Sequence, residues 1–172
     1  MTFRYPSFGR RVAIAFCAAA CAACAACGGG DAPTDTGGTT PPPQNTLVLN
    51  GATLNLTLAT TCAARTQGLM GVTNLDADAG MLFVFADDRQ RAFWMKDTPT
   101  ALSIAFFDAN KKIVFMADMP ANSTTIYGGL NAPQMRYALE TRQGWFASHG
   151  VTLGMTSSFS LPAALTIEPD CP

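Results

Sequence analysis

A short segment near the middle of the chain, Trp94-Met95-Lys96-Asp97-Thr98, combines an aromatic ring, a cation, a carboxylate and a hydroxyl. On an extended strand, Trp94 and Lys96 would point to the same face, because successive side chains alternate between the two faces. An aromatic platform beside a cation can accept an anionic or sugar-like ligand, so Trp94, Lys96 and Thr98, with Arg65 nearby, form a candidate ligand site. The alternative is that Trp94 only packs on the Lys96 stem as a surface cation–π pair.

A catalytic use of the same segment would pair Lys96 with a carboxylate, for which Asp97 and Glu140 are the candidates. The sequence contains no recognisable nucleophile–base pair, and its single histidine, His149, cannot build a histidine-based metal site alone. We therefore favour a non-enzymatic binding domain, with no metal or other cofactor. A hydrolase or transferase that uses Lys96 is the alternative.

The segment lies within a stretch of four apolar runs between residues 80 and 116. Each run has four to six residues, and polar segments that favour turns separate the runs. Short runs rich in Phe, Ile and Val between Asp, Asn and Pro predict strands, several of them buried on both faces. The runs are Met81–Phe85, Ala92–Met95, Leu102–Phe107 and Ile113–Met116.

The flanking sequence predicts further short elements. Asn50-Gly51 is a strong turn signal, which predicts a hairpin of residues 46–50 and 53–59. Short helices are expected within residues 61–70, with Thr60 or Thr61 as N-cap, and within residues 143–149. Further strands are expected at 135–141 and 159–167, the last at a sheet edge because of Pro162. The fold class is α+β, mostly antiparallel β, forming a small barrel or strongly curved sheet with two short helices.

Residues 1–27 predict a lipoprotein signal peptide. Three arginines precede an apolar run from Val12 to Ala26 that is too short to span a bilayer comfortably. Cys21, Cys24 and Cys27 each follow two alanines, as before the lipidated cysteine of bacterial lipoproteins. We favour lipidation of Cys27, because a glycine run follows it. An ordinary secreted protein and an uncleaved anchor are the alternatives.

The predicted mature chain has a flexible Gly/Thr/Pro tether at residues 28–45 and one globular domain at residues 46–172. Without the leader's three arginines, eight basic and twelve acidic side chains remain, a net charge of −4. No basic patch favours nucleic acid. The expected partners are the membrane, through the lipid anchor, and an unknown small ligand or envelope protein. The expected location is the cell envelope, on the periplasmic face of the outer membrane.

Two cysteines remain beyond the leader, Cys62 and Cys171. In an oxidising compartment, two cysteines favour a disulfide, which here would join the first helix to the C-terminal end. Inert or reactive free thiols are the alternatives, although nothing basic adjoins either cysteine apart from Arg65.

Several ordered motifs across residues 53–160 resemble a bacterial and archaeal family catalogued as domain of unknown function number 192, whose members are small and often exported. The resemblance implies a compact β-rich fold and brings no established activity, substrate or catalytic residue. The motifs are Gln67–Met70, Gly80–Phe85, Phe93–Thr98, Ile104–Asp108, Tyr137–Glu140 and Gly144–Phe146.

The chain departs from the family pattern at three positions. Ala64 stands where the family usually has Glu, Asp97 where it has Asn, and Ser103 where it has Asp. If the two missing carboxylates serve the family's function, we expect this copy to have altered or lost it.

Overall fold

The computed structural model describes residues 45–171. The predicted signal peptide, its lipidation site Cys27 and the tether up to residue 44 therefore lie outside the described residues. Within them are nine strands and two short helices: β1 Thr46–Leu49, β2 Ala52–Ala59, α1 Cys62–Gln67, β3 Ala79–Arg89, β4 Ala92–Phe93, β5 Leu102–Phe107, β6 Ile113–Met119, β7 Tyr127–Gly128, β8 Met135–Arg142, α2 Trp145–Ser148 and β9 Ser158–Phe159.

Seven of the strands form one sheet in the order β6-β5-β8-β3-β2-β1-β9. Only β2 and β3 pair in parallel, because α1 carries the chain across between them. The sheet curls until its two edges approach each other: the backbone N–H of Ile113 donates to Met155 at 2.8 Å, and that of Ser157 to Lys111 at 3.0 Å. The prediction of an α+β fold with a mostly antiparallel, strongly curved sheet is confirmed.

The first hairpin turns where the sequence predicts. Asn50 and Gly51 both have positive φ, 48° and 80°. A two-residue turn with both φ angles positive matches the twist of antiparallel strands, and asparagine followed by glycine tolerates it best. β1 and β2 accordingly pair from Leu49 opposite Ala52 outward.

The two faces of the sheet bury two separate hydrophobic clusters. On β3, Leu82 and Val84 point to one face, and Phe83 and Phe85 to the other. The first cluster, here called the inner core, takes residues from all seven strands and from α2, so it fills the concave face. Its members are Leu47, Leu49, Leu54, Leu82, Val84, Ala105, Phe107, Ile113, Leu139, Trp145, Phe146, Val151 and Phe159.

The second cluster, the outer core, is covered by connecting segments instead of strands. The crossover containing α1 contributes Leu69, and the two-stranded ribbon β4–β7 packs beside it. A Cβ at Gly128 of the ribbon would lie 2.8 Å from the ring of Phe106 and would clash with the carbonyl of Arg91. With its φ of +89°, this position requires glycine, which lets the ribbon lie directly on the outer core.

Two predicted strands are wrong in extent. The predicted strand Ala92–Met95 ends at Phe93, because the carbonyl of Met95 accepts from the backbone N–H of Thr98 and closes a turn. The predicted last strand at 159–167 is only Ser158–Phe159. Pro162 has no N–H for a strand ladder, and its carbonyl instead accepts from Leu165 in a turn.

Candidate functional site

A cleft of about 560 Å³ opens over the outer core. Its walls are α1 with the residues that follow it, β4 with the turn that follows it, and the C-terminal tail. The four residues singled out in the sequence, Arg65, Trp94, Lys96 and Thr98, all line this cleft, although Arg65 is distant from the others in the chain. The structure also adds Glu140 to the lining.

Aromatic rings line part of the cleft. Phe83 and Phe85, both almost fully buried, come from the central strand β3, and Phe93 comes from the ribbon. Phe83 and Phe93 meet edge to face, with their ring centroids 5.1 Å apart. These rings are held by the outer core, so the surface under a ligand is apolar and preformed.

Trp94 and Lys96 do not lie on one face of a strand, and that prediction is wrong. Lys96 and Asp97 form a turn, in which Asp97 has a φ of 54° and the hydroxyl of Thr98 donates to the Lys96 carbonyl at 3.1 Å. Met95, fully buried in the outer core, anchors this turn. The turn nevertheless brings the Lys96 ammonium within 5.6 Å of the Trp94 ring centroid, a cation–π contact.

Arg65 lines the cleft, but its guanidinium is already engaged. It donates to the backbone carbonyls of Thr60 and Val84 at 2.8 and 3.2 Å. It also donates to the carbonyls of Glu168 and Pro169 in the C-terminal tail. Arg65 therefore holds the cleft wall together and is not free to bind an anion.

Arg91 is engaged in the same way. Its guanidinium stacks 3.9 Å from the Phe85 ring centroid and pairs with Asp87 at 2.7 Å and Asp170 at 2.8 Å. The hydrogen bond from Arg91 lowers the pKa of the Asp87 carboxyl below its ordinary value. Among the described residues that line the cleft, Lys96 is the one cation without a hydrogen bond or ion pair.

Glu140 lies on β8, between Met81 of β3 and Ile104 of β5. It is only 5% exposed, and no donor among residues 45–171 hydrogen-bonds its side chain. Burial raises the pKa of this carboxyl to about 8, so it holds its proton at neutral pH. Sequence reasoning considered Glu140 only as a catalytic alternative. The sequence did contain a signal for a special role of Glu140, because this charged residue directly follows the apolar residues Tyr137-Ala138-Leu139.

The C-terminal tail closes one side of the cleft. Cys62 and Cys171 are joined by a disulfide, with their Cα atoms 5.2 Å apart. The backbone N–H of Cys62 also donates to the Glu168 carboxylate at 2.7 Å. The disulfide and these hydrogen bonds hold Asp170 against Arg91.

Ala64 and Ser103, which stand where the family usually has carboxylates, are not among the residues that line the cleft. Ser103 is buried elsewhere, where its hydroxyl contacts the Asp118 carboxylate at 2.5 Å and accepts from the backbone N–H of Gly144 at 2.9 Å. Ser103 and Asp118 lie opposite each other on β5 and β6. Asp118 therefore places a carboxylate beside position 103. Ala64 packs against the outer core.

A smaller hollow of about 290 Å³ lies beside α2. His149 stacks on Trp145, and its Nδ1 lies 2.8 Å from the Trp145 carbonyl. The Trp145 indole donates to Asp78 at 3.2 Å. These contacts complete the helix end over the inner core, which accounts for His149 structurally.

No group of three or more His, Cys, Asp or Glu side chains within residues 45–171 is arranged to hold a metal ion. The two helices of this part of the chain are too short to cross a membrane.

Comparisons with known proteins identify relatives but no activity. Residues 45–159 match the family DUF192, described as Uncharacterized ACR. A crystal structure of a protein from Sinorhizobium meliloti 1021, proposed to be a transcription regulator, is 28% identical with a TM-score of 0.61. That match covers 67% of this chain and 90% of the other. A protein of unknown function from Novosphingobium aromaticivorans DSM 12444 is 25% identical with a TM-score of 0.60, covering 67% and 83%. No curated protein matches.

Proposed function

The chain belongs to the DUF192 family, and we propose that its domain binds a small anionic ligand in the cleft beside Trp94 and Lys96. The observation that carries this proposal is the Lys96 ammonium, which has no hydrogen bond or ion pair within residues 45–171 and lies next to an exposed aromatic ring in the cleft. A cleft of about 560 Å³ is in the size range of small-molecule sites, which combine apolar walls with few polar groups.

The charges around the cleft favour an anion over a cation. Asp87 and Asp170 balance Arg91, and the Arg65 guanidinium is engaged by four backbone carbonyls. Glu140 is uncharged at neutral pH because burial raises its pKa to about 8. Arg65 and Lys96 both carry a positive charge that no carboxylate among residues 45–171 pairs with. Of the two, only the Lys96 ammonium has no hydrogen bond there and can bind an anion directly.

An enzymatic function is the second candidate, because the cleft brings Lys96 and Glu140 together. A carboxyl that keeps its proton at neutral pH can act as a general acid. The residues lining the cleft include no serine, histidine or free thiol. With no activated nucleophile in the described lining, we favour binding without a reaction.

Benzoate is a suitable first probe, because it offers one carboxylate for Lys96 and one ring for the aromatic surface. We expect the purified full-length protein to bind benzoate in a calorimetric titration at pH 6. Lys96→Ala should weaken this binding at least tenfold, while the same change at the exposed Lys112, outside the cleft lining, should not.

The same variants separate a binding role from a structural one. A surface cation–π pair contributes only about 0.5–1 kcal/mol, so Lys96→Ala should leave the melting temperature nearly unchanged. If Lys96→Ala unfolds the domain, Lys96 is structural. If small carboxylates including benzoate do not bind the wild-type protein, the proposal fails.

We further propose that the mature protein is exported and tethered to the envelope by a lipid on Cys27. The N-terminal sequence pattern supports this, and a disulfide between Cys62 and Cys171 suits an oxidising compartment. With Gly28 after the cysteine, nothing argues for retention at the inner membrane. Intact-mass analysis of membrane-extracted protein should show an acylated N-terminal cysteine. An unmodified mature chain that starts after residue 27 would contradict the assignment.

The description of the Sinorhizobium meliloti relative as a transcription regulator does not lead us to propose nucleic-acid binding here. The predicted mature chain carries a net charge of −4. Two of its eight basic side chains, Arg65 and Arg91, are engaged inside the domain. Nucleic-acid binding depends on basic side chains that neutralise phosphates.

A further inference from the structure

Glu140 lies where a structural carboxylate would not be expected. Its neighbours across the sheet are the apolar side chains of Met81 and Ile104, and it shares a strand face with Ala138 in the outer core. No fully buried side-chain nitrogen or oxygen within residues 45–171 lacks a hydrogen bond, so the oxygens of Glu140, which have no such partner there, keep a small accessible surface. A carboxyl that is so nearly buried and accepts no hydrogen bond from the described residues still costs free energy, unless something else satisfies it. Glu140 lines the cleft, so a molecule bound there can reach its carboxyl.

We infer that Glu140 is a ligand-binding residue, and that the ligand is a small hydroxylated ring with one carboxylate, as in a uronic acid. This inference rests on the proposed function and adds a second contact to it. Lys96 binds the carboxylate at the mouth of the cleft, and Glu140 hydrogen-bonds a ring hydroxyl from within it.

A hydroxyl is the complementary partner for a protonated carboxyl. The carboxyl donates one hydrogen bond through its O–H and accepts another at its carbonyl oxygen, and a hydroxyl can do both in return. A second carboxylate on the ligand could only accept, and it would be repelled once Glu140 ionises. The half-exposed ring of Trp94, 46% accessible, offers a surface on which the C–H face of a sugar ring can pack.

None of the other charged side chains near Glu140 in the described residues forms a hydrogen bond with its carboxyl in place of such a ligand. On β3 and at the ends of β8 the charged side chains either pair with one another or point to solvent, and β5 carries none. The charged side chains that face Glu140 across the cleft belong to α1, the segment after β3, the turn after β4 and the tail. They are Arg65, Arg91, Lys96 and Asp170.

The test compares D-glucuronate, D-glucose and benzoate as probes of the full-length protein by calorimetry at pH 6 and pH 9. Wild-type protein should bind glucuronate more tightly than either control at pH 6. With a pKa of about 8, Glu140 is roughly nine-tenths ionised at pH 9, so glucuronate affinity should fall about tenfold. Glu140→Gln keeps the shape, a donor group and a carbonyl acceptor but cannot ionise, and its glucuronate affinity should be the same at both pH values.

The controls separate this inference from the proposed function. If benzoate binds as tightly as glucuronate and depends on Lys96, while Glu140→Gln leaves the pH profile unchanged, the inference is wrong and the anion site remains. If neither benzoate nor glucuronate binds, both fail. Glucose that binds as well as glucuronate would overturn the requirement for the carboxylate.

Discussion

The two faces of the curved sheet are buried in different ways. The inner core is enclosed by strands from both ends of the sheet and closed by Trp145 and Phe146 of α2. The outer core is covered by α1, the β4–β7 ribbon and the C-terminal tail, which leave a cleft of about 560 Å³ between them. A sheet that curls on itself covers its concave face continuously, whereas separate connecting segments leave gaps.

This difference explains why the polar groups that could bind a ligand lie on the outer face of the sheet. The polar groups beside the inner core, such as Asp78 and Ser103, are satisfied by protein hydrogen bonds. The outer face instead keeps one cation, Lys96, without a hydrogen bond or ion pair in the described residues, and one buried acid, Glu140, without a hydrogen bond. Unsatisfied polar groups at a cleft indicate ligand binding more directly than the fold does.

The largest expected effect contrasts two phenylalanines. Phe107 is fully buried in the inner core, whereas Phe93 is half-buried in the cleft. Phe107→Ala should lower the free energy of unfolding by about 3–5 kcal/mol in urea denaturation, because it leaves a cavity that cannot collapse. Phe93→Ala should cost less stability but weaken benzoate binding. Equal losses of stability would contradict the contrast between a sealed face and an open one.

The next effect concerns the tail that walls the cleft. Replacing both Cys62 and Cys171 by alanine removes a crosslink between residues 109 apart and should cost about 2–4 kcal/mol. Hydrogen exchange should then accelerate at residues 168–171 and in α1, while the strands around the inner core keep their relative protection. Uniform acceleration throughout the domain would show that the tail does not move as a separate unit.

The third effect is a dependence of stability on pH that comes from Glu140, and it is the smallest of the three for a change of one pH unit. Its pKa rises from 4.5 to about 8 on folding, so between these values the folded state holds a proton that the unfolded state releases. The free energy of unfolding should therefore fall as pH rises through this window, by about 1.4 kcal/mol per pH unit at most. Asp87, whose pKa is lowered, acts in the opposite direction at more acidic pH.

Denaturation between pH 5 and pH 8 tests this dependence. Glu140→Gln should flatten the curve and leave a protein more stable than wild type at pH 8. An unchanged slope in Glu140→Gln would mean that the carboxyl is solvated in the folded protein.

Local patterns in the sequence determined most of the secondary structure. The Asn50-Gly51 turn, the doubly buried strand β5 and the N-cap at Thr61 each follow from short-range chemistry, and the structure confirms them. The predicted strand boundaries were wrong where a turn interrupts an apolar run, as at Met95. Strand propensity indicates which conformation a segment can adopt. The point at which this strand ends depends on a single hydrogen bond from Thr98, which propensity does not reveal.

Tertiary structure alone decided the character of the site. The sequence singled out Trp94, Lys96, Thr98 and Arg65 but could not show that Arg65 donates to carbonyls more than a hundred residues away. It could not show that Glu140 is buried within the same cleft. Whether a charge is free, paired or protonated depends on its neighbours in space and on the water left around it, and the folded chain sets both.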